Sequence, residues 1–464
     1  MKRKYIYYYV LEEHKSKIES QTTFKPELCY QILANCSSIT RDKAGYASVP
    51  CTKFKSITST YNQYINYMCT NSMLYVDNDY TYIDTKHDIA STKKYKLREI
   101  NPSKILKIKA TNSKFINEKV RYFTKVKNDK NKTAKKDYLK VVKSNFTTFM
   151  NELPIDTIME HSQNIADVNE RMSQFIILDK IKNNNFYFKR NSTNNRLDTN
   201  LTNLYNNIKF YNPFNYSNID ISNSQPYFIY ILLCNIIQSP YYAADIACNS
   251  IINQIVNSNH YKYNTLNINL EELEKYKNWT CTGKFYDNFM SSTGMERKEL
   301  KDLMFCILYS KPSSYLEDKK IFSNEFPTIN AFINDFKENN EYQQFAILLQ
   351  KIESKIVIDV ICPLLVEACI FLVTIHDSWI IKDEDVERAL KIIYSVFDTN
   401  PNLKVESFNK LRENKIYEFR NNVRKLKNKH KKSKYENTMI LLKNRDKKRY
   451  INLLKNSNKK IEQY

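Results

Sequence analysis

Two aspartates and one stripe of cations and aromatics are the residues here whose types and spacing could do chemistry. Asp220 ends a short strand pattern, NIDIS at 218–222, ahead of the turn NSQP and the apolar run YFIYILLCNII at 227–237. Pro226 suits the first turn of a helix there, where a missing N–H leaves nothing unpaired. Asp377 stands with His376 between two β-branched apolar runs, IFLVTI and SWII, which predicts a tight hairpin. Asp is a common turn residue in both settings. A turn projecting from a core element, however, puts its acid where it needs a partner. Two such carboxylates on two strands of one sheet can hold two Mg²⁺ ions roughly 3.5–4 Å apart, activating a 3′-hydroxyl and stabilising a leaving pyrophosphate.

The stripe lies in GMERKELKDLMFCILYSK, 294–311, where Arg297, Lys301, Phe305 and Tyr309 recur every fourth residue. On a helix they form one slowly drifting line. Such a line suits a nucleoside triphosphate, with cations on the phosphates and a ring against base or sugar. The plainer alternative is an amphipathic helix with Phe305, Leu308 and Tyr309 in the core and the cations in water.

The elements that must position these groups can be read coarsely. Helical periodicity runs over about 150–185 through Ile158, Ile165, Val168, Met172 and Phe175, and an Asn/Thr-rich loop follows, FKRNSTNNRLDTNLTNLYNN. Residues 241–345 read as mainly helical. KDEDVERALKIIYSVF predicts an amphipathic helix with Val386, Leu390, Ile393 and Phe397 on one side and acidic residues at its start. Residues 91–145 are dense in Lys with Tyr and Phe interleaved, a pattern of phosphate contact or of a solvated face. The Lys/Arg-rich stretch 411–464 reads as a basic tail, and residues 1–90 carry no motif.

Bulk numbers bound the function. The 464 residues allow two to four domains. Lys plus Arg is 72 against 50 for Asp plus Glu, a net charge of +22 that points to a polyanionic partner. Only three residues are Gly, at 45, 283 and 294, which excludes a P-loop or a dinucleotide fingerprint. The ten cysteines show no C-x-x-C spacing, so neither a zinc site nor a disulfide framework is expected, and Cys234, Cys306, Cys362 and Cys369 read as core packing. The start, MKRKYIYYYVLEEHK, lacks the features of a signal peptide. Asp359, Pro363 and Glu367 interrupt the longest apolar run, 356–375, so no membrane span is expected. A cytoplasmic protein without a membrane partner is the expectation.

Taken in order, the constellations resemble the polymerase domain of family A DNA polymerases and the related single-subunit phage-type RNA polymerases. Asp220-Ile-Ser looks like the first palm motif, Arg297-x-x-x-Lys301-x-x-x-Phe305-x-x-x-Tyr309 like the fingers helix, and His376-Asp377-Ser378 like the last palm motif. The match covers about residues 185–405. Arg196 resembles the Arg that leads into the palm. The resemblance implies an α+β right-hand polymerase with a small antiparallel palm sheet, helical fingers and a helical thumb. It divides the chain into an N-terminal region of unknown role at 1–90, a thumb-like region at 91–184, palm at 185–240 and 346–410, fingers at 241–345, and the tail at 411–464.

It also implies roles. Asp220 and Asp377 would hold two Mg²⁺ ions, or Mn²⁺. Arg297 and Lys301 would bind the triphosphate, with Lys301 protonating the pyrophosphate. Phe305 and Tyr309 would stack on the nucleotide, Gln225 would sit near its sugar or phosphates, and Arg196 and His376 would contact nucleic acid. The partners would be a DNA or RNA template-primer and nucleoside triphosphates. Gln225 replaces the usual Glu of the sugar gate, Ser310 replaces the usual Gly, and His-Asp-Ser is the RNA-polymerase form, while Phe305 is the DNA-polymerase choice. DNA synthesis is preferred. RNA synthesis, a primer- or template-independent transferase, and a non-catalytic nucleic-acid-binding protein on this scaffold are the alternatives. A reverse transcriptase is disfavoured by the lack of a Y-x-D-D turn.

Overall fold

The computed structural model describes residues 6–37, 45–85, 88–101, 103–113, 115–117, 136–204, 211–237, 246–262, 268–397 and 399–411. The expected basic tail beyond residue 411, and 118–135 of the Lys-rich stretch, lie outside them. The strands in chain order are β1 (Tyr7–Leu11), β2 (Ala47–Val49), β3 (Leu74–Thr85), β4 (Asp88–Leu97), β5 (Ile105–Lys109), β6 (Phe188–Arg190), β7 (Leu197–Thr199), β8 (Tyr216–Ile221), β9 (Leu372–Ile375), β10 (Ser378–Lys382) and β11 (Leu403–Ser407). Two compact units share the chain. One takes Met1–Lys136, Pro154–Lys189 and Asp198–Ile208, and the other takes Asp137–Leu153, Arg190–Leu197 and Lys209–Tyr464.

The second unit is built on a four-stranded sheet of order β11-β8-β10-β9, antiparallel throughout. Its middle is apolar on both faces. All four residues of β9 are buried, as are Trp379, Ile380 and Ile381 of β10 and Tyr216, Ile219 and Ile221 of β8. That is why the two apolar runs around His376-Asp377 become strands. β11 is the exposed edge, and its alternating Lys404 and Glu406 pair at 2.6 Å and discourage further strand addition. The helix Ser224–Ile237, earlier by three residues than its apolar run, is buried from Pro226 to Asn235. Such an all-round apolar helix belongs in a core. The helix Asp137–Glu152 is tied to this sheet by Asn145, which donates to Leu372 O at 3.2 Å, and by Glu152, which accepts from the Tyr216 hydroxyl at 2.9 Å.

From 344 to 367 one helical run passes through a π-helical stretch, Lys355–Ile361, between Gln344–Ser354 and Cys362–Glu367. Pro363 explains the widening. Its ring has no N–H for the Asp359 carbonyl four residues back and would collide with it in an α-helix. No helix among the described residues is long and apolar enough to cross a membrane.

The first unit has a two-stranded sheet, β1 with β5, and a three-stranded sheet of order β2-β4-β3. Here the expectation of helix from residue 91 is corrected for the first part of that region. Lys93–Leu97 lies in β4 and Ile105–Lys109 is β5, both strands. The segment KKYKLR alternates cation and apolar residue with period two, and Tyr95 and Leu97 are buried while Lys94, Lys96 and Arg98 are less so. Counting Lys density hid this strand period.

Candidate active site

The antiparallel register brings the two aspartates together. Asp220 is cross-strand partner of Ser378, and the main-chain N–H of Ile221 donates to Asp377 O at 3.3 Å. Both acids therefore stand at the same end of the central strand pair, half-buried, one on β8 and the other in the turn joining β9 to β10. That turn is two residues long, since Ile375 pairs with Ser378. His376 takes the left-handed conformation at φ 52°, which His tolerates better than a β-branched residue. The Ser378 hydroxyl donates to Ile375 O at 2.9 Å and closes the turn.

Behind Asp377 lies a polar network that the sequence did not announce. Glu353 is fully buried, and Arg196 grips it through both arms, Nε to Oε1 at 2.8 Å and Nη2 to Oε2 at 2.7 Å. Gln225 Nε2 donates to the same Oε2 at 2.5 Å. Burial pushes the Glu353 carboxyl above the usual range, and the nearby charge of Asp377 adds to this against Arg196 and Gln225. Burial works against the charge of Arg196, but Glu353 and then Asp377 outweigh it and raise its pKa. Asp377, Arg196 and Glu353 thus form one electrostatic group. Asn194 extends it by donating to Gln350 Oε1 at 2.9 Å, and Gln350 Nε2 donates to the Tyr309 hydroxyl at 2.8 Å. A second pair runs parallel: Arg190 donates to Asp359 through both arms at 3.0 and 3.2 Å, and Tyr138 donates to Asp359 at 2.6 Å.

The helix Arg297–Tyr309 carries the stripe. Its start is fixed by a reciprocal cap between Glu296 and Glu299, after Gly294 ends the preceding helix Phe285–Thr293 at φ 72°. The buried line is Leu300, Leu303, Met304, Ile307 and Leu308. Phe305 is 56 % exposed and Tyr309 40 %, and the two rings stack at 5.6 Å. The alternative that put both rings in the core is corrected: one turn separates each ring from the next, and the apolar line beside them already fills the core side. Arg297 and Lys301 are exposed on the same line. Arg297 meets Asp287 at 2.6 Å and lies over the Tyr286 ring. Tyr309 turns its hydroxyl inward to Gln350, so its ring is exposed while burial raises its pKa.

The C-terminal end of this helix is held by two buried lysines. Lys337 donates to Ile307 O and to Ser310 O, the latter at 2.9 Å, and Lys319 donates to Lys311 O and, at 3.4 Å, to Pro312 O. Cations at a helix C-terminus offset its partial negative charge. Burial, with Lys319 close by, pushes the Lys337 amine down to about 7.

Of the expected residues, the structure brings Asp220, Asp377 and His376 to one sheet end, and Arg196 and Gln225 to Glu353 behind it. Gln225 is committed through its amide to Glu353. Arg297, Lys301, Phe305 and Tyr309 share one exposed helix face, joined to the network through Tyr309. Missed were Glu353, Gln350, Asn194 and Asp359. The available signal for Glu353 was a carboxylate on the apolar line Phe345, Leu349, Ile352 and Ile356, where a solvated acid has no place.

Two half-buried carboxylates at one sheet end are a donor set that Mg²⁺ accepts. That ion keeps its waters and is usually held by one or two carboxylates plus substrate phosphates. No group of three or more His, Cys, Asp or Glu placed to hold a metal occurs among the described residues.

No family model matches the chain, and no curated protein matches it. Among solved structures, the chain is similar to the POL domain of Pol1 from M. smegmatis in complex with DNA primer-template and dNTP, at 10 % identity and a TM-score of 0.27. The likeness covers 51 % of this chain and 51 % of that one, so the chain spans about half of its length. A likeness this distant carries no argument about fold or function.

Proposed function

We propose that this chain is a nucleotidyltransferase that joins a nucleoside triphosphate to a 3′-hydroxyl, a template-directed DNA polymerase of the family A type. The observation that carries the reading is the register that sets Asp377 beside Asp220 at one end of an antiparallel sheet. The exposed stripe of two cations and two rings, and the excess of positive charge, support it. Asp220 and Asp377 would hold two Mg²⁺ ions, which supply charge neutralisation for the attacking and leaving oxygens. The 3′-hydroxyl gives up its proton to solvent as its oxygen bonds to the α-phosphorus, the α–β bridging bond breaks, and pyrophosphate leaves with the bonding pair. Lys301 is placed by the reading to give that leaving group its proton. Arg297 would neutralise phosphate oxygens, and Phe305 and Tyr309 would bear on the nucleotide. Arg196 and Glu353 act by position, holding the ground behind Asp377.

The test is incubation with Mg²⁺ and a primed DNA template, with dNTPs or NTPs in separate reactions and with no-primer and no-template controls. Extension with dNTPs that needs both primer and template is expected. Extension with NTPs alone would make the chain an RNA polymerase, and product without primer or template a terminal transferase. No product under any condition, together with retained oligonucleotide binding, would sink the catalytic reading in favour of a binding protein on the same scaffold.

Arg297→Ala is expected to raise the nucleotide KM and lower kcat, together by about 10- to 100-fold in kcat/KM, the usual worth of one charge-assisted hydrogen bond. Single-nucleotide incorporation kinetics check it. A loss confined to nucleic-acid affinity would move that helix out of the nucleotide site.

A further inference from the structure

The unit built on β1–β5 carries a surface that the reading above does not use. In the sheet β2-β4-β3, Ala47 and Val49 of β2, Leu74 of β3, and Tyr95 and Leu97 of β4 are buried in one core with Cys29, Ile32, Leu33 and Cys36 of the helix Pro26–Ser37. Residues directly opposite each other on neighbouring strands share a face. The register pairs Tyr75 with Lys96, and Asp77 with Lys94. Period two adds Arg98 beyond the end of β4 and Tyr46 just before β2. The face turned away from that core therefore presents Lys94, Lys96 and Arg98 in a row at every second residue, bordered by two tyrosines.

The rings and cations are already arranged together. The Arg98 guanidinium lies 4.8 Å from the Tyr75 ring centre, and the Lys96 ammonium lies 5.7 Å from that of Tyr46. Tyr75 is nevertheless 43 % exposed. Gly45, at φ 83°, lets the backbone close on Lys96, since a Cβ there would stand 3.2 Å from its Cε. Among the described side chains of this face, Asp77 stands across from Lys94. An evenly spaced cation row matches a chain of phosphates, and an exposed ring within the row matches an unpaired base. A duplex offers no base face for Tyr75, which favours a single strand.

We infer that this sheet face docks single-stranded DNA, phosphates along Lys94, Lys96 and Arg98 and a base on Tyr75 or Tyr46. The preference for DNA over RNA rests on the proposed function; the single strand does not. A chain that binds here but extends no primer keeps this surface and loses the polymerase reading.

Fluorescence anisotropy of labelled oligo(dT) with the full chain, over a salt series, is the test. K94Q/K96Q/R98Q is expected to weaken binding about tenfold or more at 150 mM salt and to flatten the salt slope by about 2, near 0.7 per lost phosphate contact. Tyr75→Ala is expected to weaken binding about fivefold or more at unchanged slope, because stacking releases no counterions. Wild-type affinity and slope in the folded triple variant would overturn the inference. So would binding to oligo(U) or to phosphatidylserine vesicles in place of oligo(dT). If the triple variant does not fold, oligonucleotides carrying 5-bromodeoxyuridine are photocrosslinked to the wild-type chain. Attachment to Tyr46 or Tyr75 supports the surface, and attachment only elsewhere overturns it.

Discussion

Asp377→Asn is expected to remove Mg²⁺-dependent extension, with kcat/KM lower by about 10³-fold or more. Asn has the shape of Asp and leaves the main-chain bond from Ile221 N to Asp377 O, at 3.3 Å, untouched. The hairpin should therefore persist, and the lost quantity is the negative charge. That charge is what a divalent cation needs, and one neutral amide oxygen is a poor substitute. Asp220→Asn should act alike, and the double variant should be little worse than either, because two residues that serve one centre act as a unit. Single-turnover extension reads the loss, while thermal unfolding and oligonucleotide affinity show that the fold and the binding surfaces survive. A wild-type rate in Asp377→Asn would strike both aspartates from the site.

Arg196→Met is expected to destabilise the unit that carries it by about 3–5 kcal/mol, because it strands Glu353 as a buried carboxylate. Glu353 is fully buried, and it would keep only the Gln225 amide of its present donors. The direction of its pH dependence follows from burial and the charge of Asp377, which raise its carboxyl already and without Arg196 would be opposed by the Gln225 amide alone of its present donors. A raised folded pKa means that the folded state holds the extra proton. Stability therefore falls as pH rises from the ordinary carboxyl value of 4.5 through the raised one. The deficit of Arg196→Met should accordingly be larger at pH 8 than at pH 5. Urea unfolding at the two pH values measures it. R196M/E353M should recover much of the loss, since a matched apolar pair replaces a buried ion pair at small cost. A variant as stable as wild type at pH 8 would show the ion pair to be dispensable.

The parts of the fold that were legible are those where local pattern and burial agree. IFLVTI and SWII form strands, the two residues between them form the turn, and the line of residues 297–309 forms a helix. What was not legible depends on partners far along the chain. β11 is an exposed edge with alternating charge, and nothing in LKVES distinguishes it from a loop until β8 pairs with it. The Glu353 network joins residues 128 to 157 positions apart, and only the misplaced acid on an apolar line hinted at it. The strand in KKYKLR was visible in its alternation and was masked by the charge count. Whether Phe305 and Tyr309 face water or core could not be read from their spacing, because the exposed and buried lines run side by side on one helix.

The turn at His376-Asp377 works as a ruler. Its length of two residues sets which residue of β10 meets which residue of β9, and β10 in turn pairs Ser378 with Asp220 of β8. One added residue would carry Trp379, Ile380 and Ile381 to the wrong faces of the sheet. The chain between Leu372 and Lys382 is thus free to drift in side chains but not in length. Any relative that keeps the acidic pair must cross this interval without a gap, however little else of the sequence it shares.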